Sequence, residues 1–296
     1  MAGLKEVRIR IASVKSTQQI TNAMKMVAAS KLRRAQTAIV KLRPYAAKLR
    51  EILQNLSTSI GDSNESVYSQ QRKPEKVLII VITSNRGLCG GFNSNVIKAA
   101  NALILNDYAR QDEQQNVKLI TIGRKGSEYY RKRRSGIESY DNLFDQLTFD
   151  RVTPLAETLM KTFALKEYDR IDLVYNQFKN AATQRLVVEP FLPISPQQQK
   201  ADTPAPPKAE ADYIFEPDKE TMVRELIPKT LRIQLFKALL DSFASEQGAR
   251  MTAMQKATDN AKDLLRALNI SYNKARQSAI TNEILEIVSG AEALKG

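Results

Sequence analysis

The sequence contains no histidine and no tryptophan, and it has a single cysteine, Cys89, among its 296 residues. Without histidine the chain cannot build a Ser-His-Asp triad, a His-ligated metal site or a haem site with a proximal histidine. A single cysteine excludes an internal disulfide framework and cysteine-rich zinc or iron–sulfur sites, and it suits a reducing compartment. These absences exclude many common classes of enzyme and metalloprotein.

Long hydrophobic runs are also missing. The longest, Val77–Ile82, has six residues, whereas a transmembrane helix needs about 20. The N-terminus is charged from Lys5 onward and lacks the apolar region of a secretory signal. Its basic composition is compatible with an organelle transit peptide, but the regular pattern that follows favours a structural helix.

Positive charge exceeds negative charge, and the excess is confined to the two ends. The 45 lysines and arginines against 32 aspartates and glutamates give a formal net charge of +13. Residues 1–56 have a net charge of +10 and residues 221–296 of +3, whereas residues 57–220 carry 22 charges of each sign. A neutral central unit therefore separates two basic terminal segments.

The N-terminal segment has a heptad pattern, in which apolar residues recur at alternating spacings of three and four. The pattern begins at Leu4, Val7, Ile11 and Val14, and after a polar break at 16–19 it resumes at Ile20, Met24 and Val27. It then continues through Leu32, Ala35, Ile39, Leu42, Ala46, Leu49, Leu53 and Leu56. We expect one long helix, with a kink or weak point at Pro44 because proline removes a backbone donor.

The C-terminal segment repeats this spacing, with Pro228 near the expected helix start and Gly248 inside the helix. Its positions are Leu240, Phe243, Gln247, Met251, Met254, Thr258, Ala261, Leu265, Leu268, Tyr272, Ala275 and Ala279. Two helices of roughly 50 to 60 residues would each be about 80 Å long. They are too long to fold over a small central domain, so we expect them to pair as an antiparallel coiled coil.

The middle of the chain is typical of an α/β domain, since β-branched runs alternate with amphipathic segments. The predicted strands are 76–83, 117–122, 171–178 and 185–191, and the predicted helices are 94–110, 124–134 and 153–167, with Pro154 in the first turn of the last. Residues 195–211 are rich in Pro, Gln and Ala and are predicted to form an exposed loop, followed by an edge strand at 212–216.

The predicted fold is therefore α/β with long terminal helices: an antiparallel coiled coil of the N- and C-terminal helices plus a central Rossmann-like α/β domain. Five segments follow along the chain. They are an N-terminal coiled-coil helix (1–56), a linker (57–76), the central α/β domain (77–194), a Pro/Gln-rich loop with an edge strand (195–218) and a C-terminal coiled-coil helix (219–296).

The turn 83–92 joins a predicted strand to a predicted helix, which is where dinucleotide-binding and P-loop proteins hold phosphates. Its glycines, Gly87, Gly90 and Gly91, lack the G-x-G-x-x-G spacing, and no Gly-Lys-Ser/Thr follows. With no histidine to activate its thiol, Cys89 is favoured as a structural cysteine. We therefore predict no cofactor site, no metal site and no catalytic residue.

Two weaker signals keep other functions open. The basic N-terminal helix is compatible with a coiled-coil nucleic-acid-binding protein, although residues 1–56 offer only Tyr45 for base stacking. The basic run 131–134 and the carboxylate pair Glu283 and Glu286 are typical of solvated helix faces. The pattern alone thus favours a non-catalytic protein built around a long coiled coil.

Four motifs follow one another along the chain. In the segment Ile280–Ala293 every fixed position of the pattern I-T-x-E-x-x-D/E-x-x-x-G-A is present. The others are Gln19–Leu32, Arg86–Gly90, and Ser245–Met251 with its continuation Ala257–Ala261. Together they closely resemble the gamma subunits of F-type (rotary, proton-translocating) ATP synthases, over essentially the whole chain.

The resemblance implies a central-stalk rotor. In this family the terminal helices form an asymmetric coiled coil inside a ring of alternating alpha and beta subunits, while the α/β domain lies against the epsilon subunit and the membrane-embedded c-ring. Proton flow turns the shaft, which drives each beta subunit through the states that make or hydrolyse ATP. The nucleotide sites belong to the ring subunits, so the resemblance implies a non-catalytic subunit, one copy per complex, with no nucleic acid bound.

The resemblance also implies contact residues. Met24 and Lys25 match positions near the point where the shaft meets the C-terminal loops of the beta subunits. The matching positions on the C-terminal helix, which contact those loops and cooperate with Met24, are Arg276, Gln277, Thr281 and Glu283. Because the motifs begin close to Met1, we expect no targeting segment and a peripheral location on the cytoplasmic face of the bacterial plasma (inner) membrane. The single cysteine excludes the dithiol switch of the chloroplast form.

Overall fold

A computed structural model of the chain describes residues 4–60, 67–194 and 219–293. The helices are α1 (Leu4–Ile60), α2 (Phe92–Asp107), α3 (Ala109–Glu113), α4 (Arg124–Tyr130), α5 (Phe149–Ala164) and α6 (Lys219–Ala293). The strands are β1 (Val77–Ile82), β2 (Val117–Ile122), β3 (Glu138–Ser139), β4 (Arg170–Phe178) and β5 (Gln184–Leu192). Among these described helices, none is both long enough and apolar enough to cross a membrane.

The five strands form one sheet in the order β3-β2-β1-β4-β5. Strand β1 pairs in parallel with β2 and β4, and β2 pairs in parallel with β3. Strand β5 returns as a hairpin antiparallel to β4. Parallel strands need crossover connections, and α2, α4 and α5 lie in those connections. The α/β fold class that the sequence predicted is confirmed.

The central strand β1 is buried on both faces, as its uninterrupted run of β-branched and leucine residues predicted. Its alternate side chains enter two different cores. Val77, Ile79 and Val81 pack in a cluster with the buried face of α2. Leu78, Ile80 and Ile82 pack in a second cluster that includes α5 and residues 227–239 of α6. The sheet is therefore the middle layer of a three-layer domain, and α6 covers part of one face.

Two prolines lie at other helical positions than the sequence indicated, and a third, Pro44, lies inside the long helix α1 as predicted. Helix α5 begins at Phe149, so Pro154 lies in its second turn and the prediction of a first-turn proline was wrong. Helix α6 begins at Lys219, nine residues before Pro228. Helix α1 continues past Pro44 to Ile60. Tertiary packing holds the backbone helical at these positions despite the missing proline N–H groups.

The chain divides into two compact units. One, which we call the helix-pair unit, comprises Met1–Ala29 and Arg250–Gly296; the other, the α/β unit, comprises Ser30–Ala249. The division falls within α1 and α6, so part of each long helix belongs to the α/β unit. The five-segment division stays a prediction, and its loop and edge strand at 195–218 lie outside the described residues.

Candidate functional site

Two side-chain contacts define how the helices pair within the helix-pair unit. Arg8 of α1 donates a hydrogen bond from Nη2 to the hydroxyl of Tyr272 in α6, at 2.9 Å. Thirteen residues further along α1, the Thr21 hydroxyl lies 2.8 Å from the Thr258 hydroxyl of α6. From the first contact to the second, the residue number rises by 13 in α1 and falls by 14 in α6. The helices therefore run antiparallel, as was predicted from their length relative to the central domain.

The predicted seam of α6 is observed throughout this unit. Every predicted position from 251 to 279 is buried or half-buried, and most side chains between them are exposed. These positions are Met251, Met254, Thr258, Ala261, Leu265, Leu268, Tyr272, Ala275 and Ala279. The alternating spacing of three and four residues thus identified the face of α6 that packs on α1.

The predicted seam of α1 is correct at its start and wrong in its middle. Ile20 and Val27 were expected in the seam, but they are 57% and 56% exposed. The buried or half-buried positions instead run without a break through Leu4, Val7, Ile11, Val14, Gln18, Thr21, Lys25 and Ala28. The polar residues that looked like an interruption are therefore part of the seam, which keeps its heptad phase through them.

Most of the charge on the α1 side of the helix-pair unit lies off the seam, with the half-buried Lys25 as an exception. The α1 side chains of Lys5, Arg8, Arg10 and Lys15 are all exposed, so their positive charge faces outward. The hydrogen bond from Arg8 lowers the pKa of the Tyr272 phenol, because the nearby guanidinium favours the phenolate. The same pair raises the pKa of Arg8.

The residues expected to contact beta-subunit loops lie in two groups. Met24 and Lys25 are half-buried on α1, and the register places them level with residues 254–256 of α6. The second group lies exposed near the end of α6 and consists of Arg276, Gln277, Thr281 and Glu283. At 1.5 Å per residue, the two groups are about 30 Å apart along the helix pair. The structure does not bring them together, so cooperation between them cannot occur by direct contact.

The end of α6 carries an apolar stripe that the described part of the chain leaves uncovered. All side chains from 280 to 292 are exposed. The register places Arg276 level with Leu4, the first described residue of α1, and residues 280–293 have no counterpart in α1. The exposed apolar side chains are Ile280, Ile284, Leu285, Ile287 and Val288, between 48% and 70% exposed. Their i, i+4, i+7, i+8 spacing places four of them on one helix face.

The glycine-rich turn after β1, in the α/β unit, is closed by its own hydrogen bonds. Asn93 accepts from the backbone N–H of Ser84 at 2.9 Å, and its amide donates to the Cys89 sulfur at 3.3 Å. Cys89 is 1% exposed, which agrees with a structural role. Gly123 approaches this region so closely that an added Cβ would lie 2.2 Å from the Thr83 carbonyl oxygen. The described residues contain no group of three or more acidic or cysteine side chains able to hold a metal ion.

Sequence reasoning missed two α1 residues that define the helix pairing. They are Thr21, which contacts Thr258, and Arg8, which contacts Tyr272. Thr21 was overlooked because hydrophobicity alone was used to follow the seam. The signal was nevertheless present, since positions 18, 21, 25 and 28 continue the spacing of 4, 7, 11 and 14. No sequence signal selects Arg8 from the other exposed basic residues of α1.

Comparison with known proteins places the whole chain in one family. A family profile described as ATP synthase matches residues 3–294. The ATP synthase gamma chain of Cytophaga hutchinsonii is 54% identical over 295 residues, covering 99% of both chains. That of Flavobacterium psychrophilum is 55% identical over 296 residues, covering 100% of both.

Solved structures agree with this placement. A chain from the central stalk and c-ring of the Tetrahymena thermophila mitochondrial ATP synthase aligns with a TM-score of 0.58 at 28% identity, covering 80% of this chain and 99% of that chain. A chain from the Euglena gracilis mitochondrial enzyme aligns with a TM-score of 0.68 at 23% identity, covering 98% and 94%, and supports the fold. The nucleic-acid-binding alternative receives no support from these relatives. The chain belongs to the ATP synthase gamma chain family, whose members are non-catalytic rotor subunits of the central stalk.

Proposed function

We propose that this chain couples proton flow through a membrane c-ring to the conformational cycle of catalytic beta subunits. The helix-pair unit turns inside a ring of alpha and beta subunits, and the α/β unit binds the epsilon subunit and the c-ring. One copy serves each complex, on the cytoplasmic face of a bacterial inner membrane. The bacterial origin of the related gamma chains supports this location.

One feature supports the shaft role most directly, the uncovered apolar stripe at 280–288. Exposing such a stripe to water is unfavourable, and a contiguous apolar patch on a protein surface marks an interaction site. Since the described part of α1 has no residues opposite this part of α6, we assign the partner of the stripe to another subunit. A ring of subunits that surrounds this end of α6 would bury the apolar stripe at every rotational position of the helix.

The charge of the helix pair supports orientation-dependent contacts. Residues 4–29 carry five basic side chains and one acidic one, whereas residues 250–293 carry six and five. One side of the pair is therefore strongly basic and the other almost neutral. A rotor can favour one state of a ring subunit only through contacts that differ between states, because equal binding shifts no equilibrium. Acidic loops on the ring would be attracted to the α1 side and would sense its orientation.

The two groups of expected contact residues would act at different heights of the shaft. Met24 and Lys25 would meet beta-subunit loops about 30 Å from Arg276 and Gln277. Their cooperation would then be transmitted by the helix pair itself, which has to keep its register under load. This separation also means that each group can be tested without disturbing the other.

Reversing charge near the end of α6 tests the proposal. In the assembled complex, the double variant Arg276→Glu/Gln277→Leu should lower proton-driven ATP synthesis at least about fivefold, as expected for loss of a coupling contact. The chain should still fold, because both side chains are exposed. Lys274→Glu, a charge reversal at an exposed position of the same helix outside the contact group, is the matched control. Normal synthesis in the double variant would contradict the proposal.

A further inference from the structure

The interface of the helix-pair unit is mostly apolar in its described part, apart from Lys25 and the Arg8–Tyr272 contact, and it contains one layer in which uncharged polar side chains meet. On α1 the seam positions on either side of this layer include Ile11, Val14 and Ala28; on α6 they include Met254, Ala261 and Leu265. Between them the seam contains Gln18 and Thr21 on α1 and Thr258 on α6. A continuous apolar seam would have been possible here, so the polar layer calls for a physical explanation.

The two threonines at this layer are joined to each other. Thr21 is 9% exposed and Thr258 is half-buried, and their hydroxyl oxygens are 2.8 Å apart. The hydroxyl of Thr258 also lies 2.8 Å from the Met254 carbonyl, and that of Thr21 lies 3.1 Å from the Gln18 carbonyl. One hydroxyl donates across the interface while the other donates to its own helix, so both protons are used.

Apolar and polar contacts resist different movements. Dispersion and hydrophobic contacts have little directionality, so a seam of Val, Ile, Leu and Ala tolerates small axial sliding of one helix past the other. A hydrogen bond between side chains is directional and is lost when its atoms separate by about 1 Å. In coiled coils a single polar position fixes register at some cost in stability.

We infer that the Thr21–Thr258 hydrogen bond is a register pin, which holds α1 and α6 against axial sliding. Each residue of slip would move one helix by 1.5 Å relative to the other. The pin therefore positions Met24 and Lys25, three and four residues away on α1, relative to Arg276 and Gln277 on α6. The two threonines are positioning residues, and this consequence for coupling rests on the proposed function.

Register can be measured in the full-length chain by distances between spin labels. Lys15→Cys and Ser278→Cys place labels on exposed positions of α1 and α6 at different heights, and the native Cys89 is buried. Adding Thr21→Val and Thr258→Val removes both hydroxyls and preserves side-chain shape. We expect the label-to-label distance distribution to broaden at least about twofold, while helix content and the unfolding temperature do not fall.

The matched control is Thr17→Val, one turn before Thr21. The Thr17 side chain is exposed and bonds only to the Ser13 carbonyl of its own helix, so the distribution should stay as narrow as without the change. A narrow distribution in the double valine variant would overturn the pin. A broad distance distribution accompanied by loss of helix content would also overturn the pin. It would show that the threonines stabilise the helix pair as a whole rather than its register.

The assembled complex separates the pin from the proposed function. If both are right, the double valine variant hydrolyses ATP at a near-normal rate but pumps at least about twofold fewer protons per ATP. A broadened distribution with normal pumping supports the pin and contradicts the proposed dependence of coupling on the relative position of the contact groups. Unchanged distances overturn the pin, whatever the Arg276→Glu/Gln277→Leu variant shows.

Discussion

Two stretches of α6 have the same helical backbone and opposite surroundings. From 238 to 249 almost every side chain is buried, including polar ones such as Asp241, Ser245 and Gln247. From 280 to 292 every side chain is exposed, including apolar ones such as Ile284 and Ile287. The first stretch finds its environment within the α/β unit. The second exposes an apolar surface that no described residue of the chain covers.

Truncating a leucine in each stretch should give the largest contrast. Leu239 is fully buried in the core beneath the sheet, whereas Leu285 is 57% exposed. We expect Leu239→Ala to lower the free energy of unfolding by about 3 kcal/mol, because it removes buried area and leaves a cavity. Leu285→Ala should change it by less than about 0.5 kcal/mol. Chemical denaturation of the isolated chain measures both, and equal losses would remove the distinction between the stretches.

The buried stretch should also make stability depend on pH through Asp241. Burial raises the pKa of this carboxyl to about 6, although Lys237 and Arg43 oppose the shift and Glu189 adds to it. The folded state therefore holds the proton more tightly than the unfolded chain. This contribution to stability is complete below about pH 4 and is lost as the pH rises through about 6.

Asp241→Asn should flatten that pH profile and raise the free energy of unfolding at pH 7 by about 3 kcal/mol, since the pKa is raised by about two units and one unit corresponds to 1.36 kcal/mol. Denaturation midpoints between pH 4 and 8 measure the effect. Asp263→Asn, at an exposed aspartate of the same helix, is the matched control and should retain the wild-type profile. An unchanged slope in Asp241→Asn would show that another group carries the dependence.

The two glycines of α6 offer a subtler comparison. A Cβ at Gly248 would lie 3.0 Å from the Ala181 carbonyl oxygen in the β4–β5 turn, whereas a Cβ at Gly290 would meet nothing within 4 Å. Gly248→Ala should therefore destabilise the chain by about 1 kcal/mol, because overpacking outweighs the gain in helix propensity. Gly290→Ala should be neutral or slightly stabilising. Gly248→Ala should thus lower the thermal midpoint, whereas Gly290→Ala should leave it unchanged or raise it slightly. A stabilising Gly248→Ala would contradict the close packing.

The smallest expected effect concerns the pair Arg8 and Tyr272 in the helix-pair unit. Because the guanidinium lowers the pKa of the Tyr272 phenol, Arg8→Ala should raise that pKa toward its ordinary value. Tyrosine-specific NMR titration measures this shift. Arg10→Ala removes an exposed charge two residues away and should leave the Tyr272 titration unchanged; an equal shift in both variants would indicate a diffuse field rather than this contact.

Regular spacing predicted more of the structure than hydrophobicity did. The seam of α6 was correct from Met251 to Ala279 even though it includes the polar Thr258. The predicted seam of α1 was wrong at Ile20 and Val27, where apolar residues were followed instead of the heptad spacing. An exposed apolar residue is compatible with a helix whose outer face meets another subunit, so composition cannot identify the inner face. The heptad phase can, because only residues 3.5 apart on average stay on the same side.

The candidate contact residues came from the resemblance to a family, and their arrangement came from the register. Nothing in the sequence indicates that Met24 and Arg276 lie about 30 Å apart along the pair. That separation follows from the contacts at Arg8 and Thr21, which join residues 264 and 237 positions apart in the chain. Short-range patterns carry no information about such pairings.

The sequence by itself determined the long terminal helices, the alternating strands and helices between them, the location of the positive charge and the membership of a rotor family. These features depend on local periodicity, composition and motifs, which are properties of neighbouring residues. The tertiary structure alone decided the register of the helix pair, the polar layer at Thr21 and Thr258, and the burial of Asp241. It did so because hydrogen bonds and desolvation depend on which distant segments meet in space.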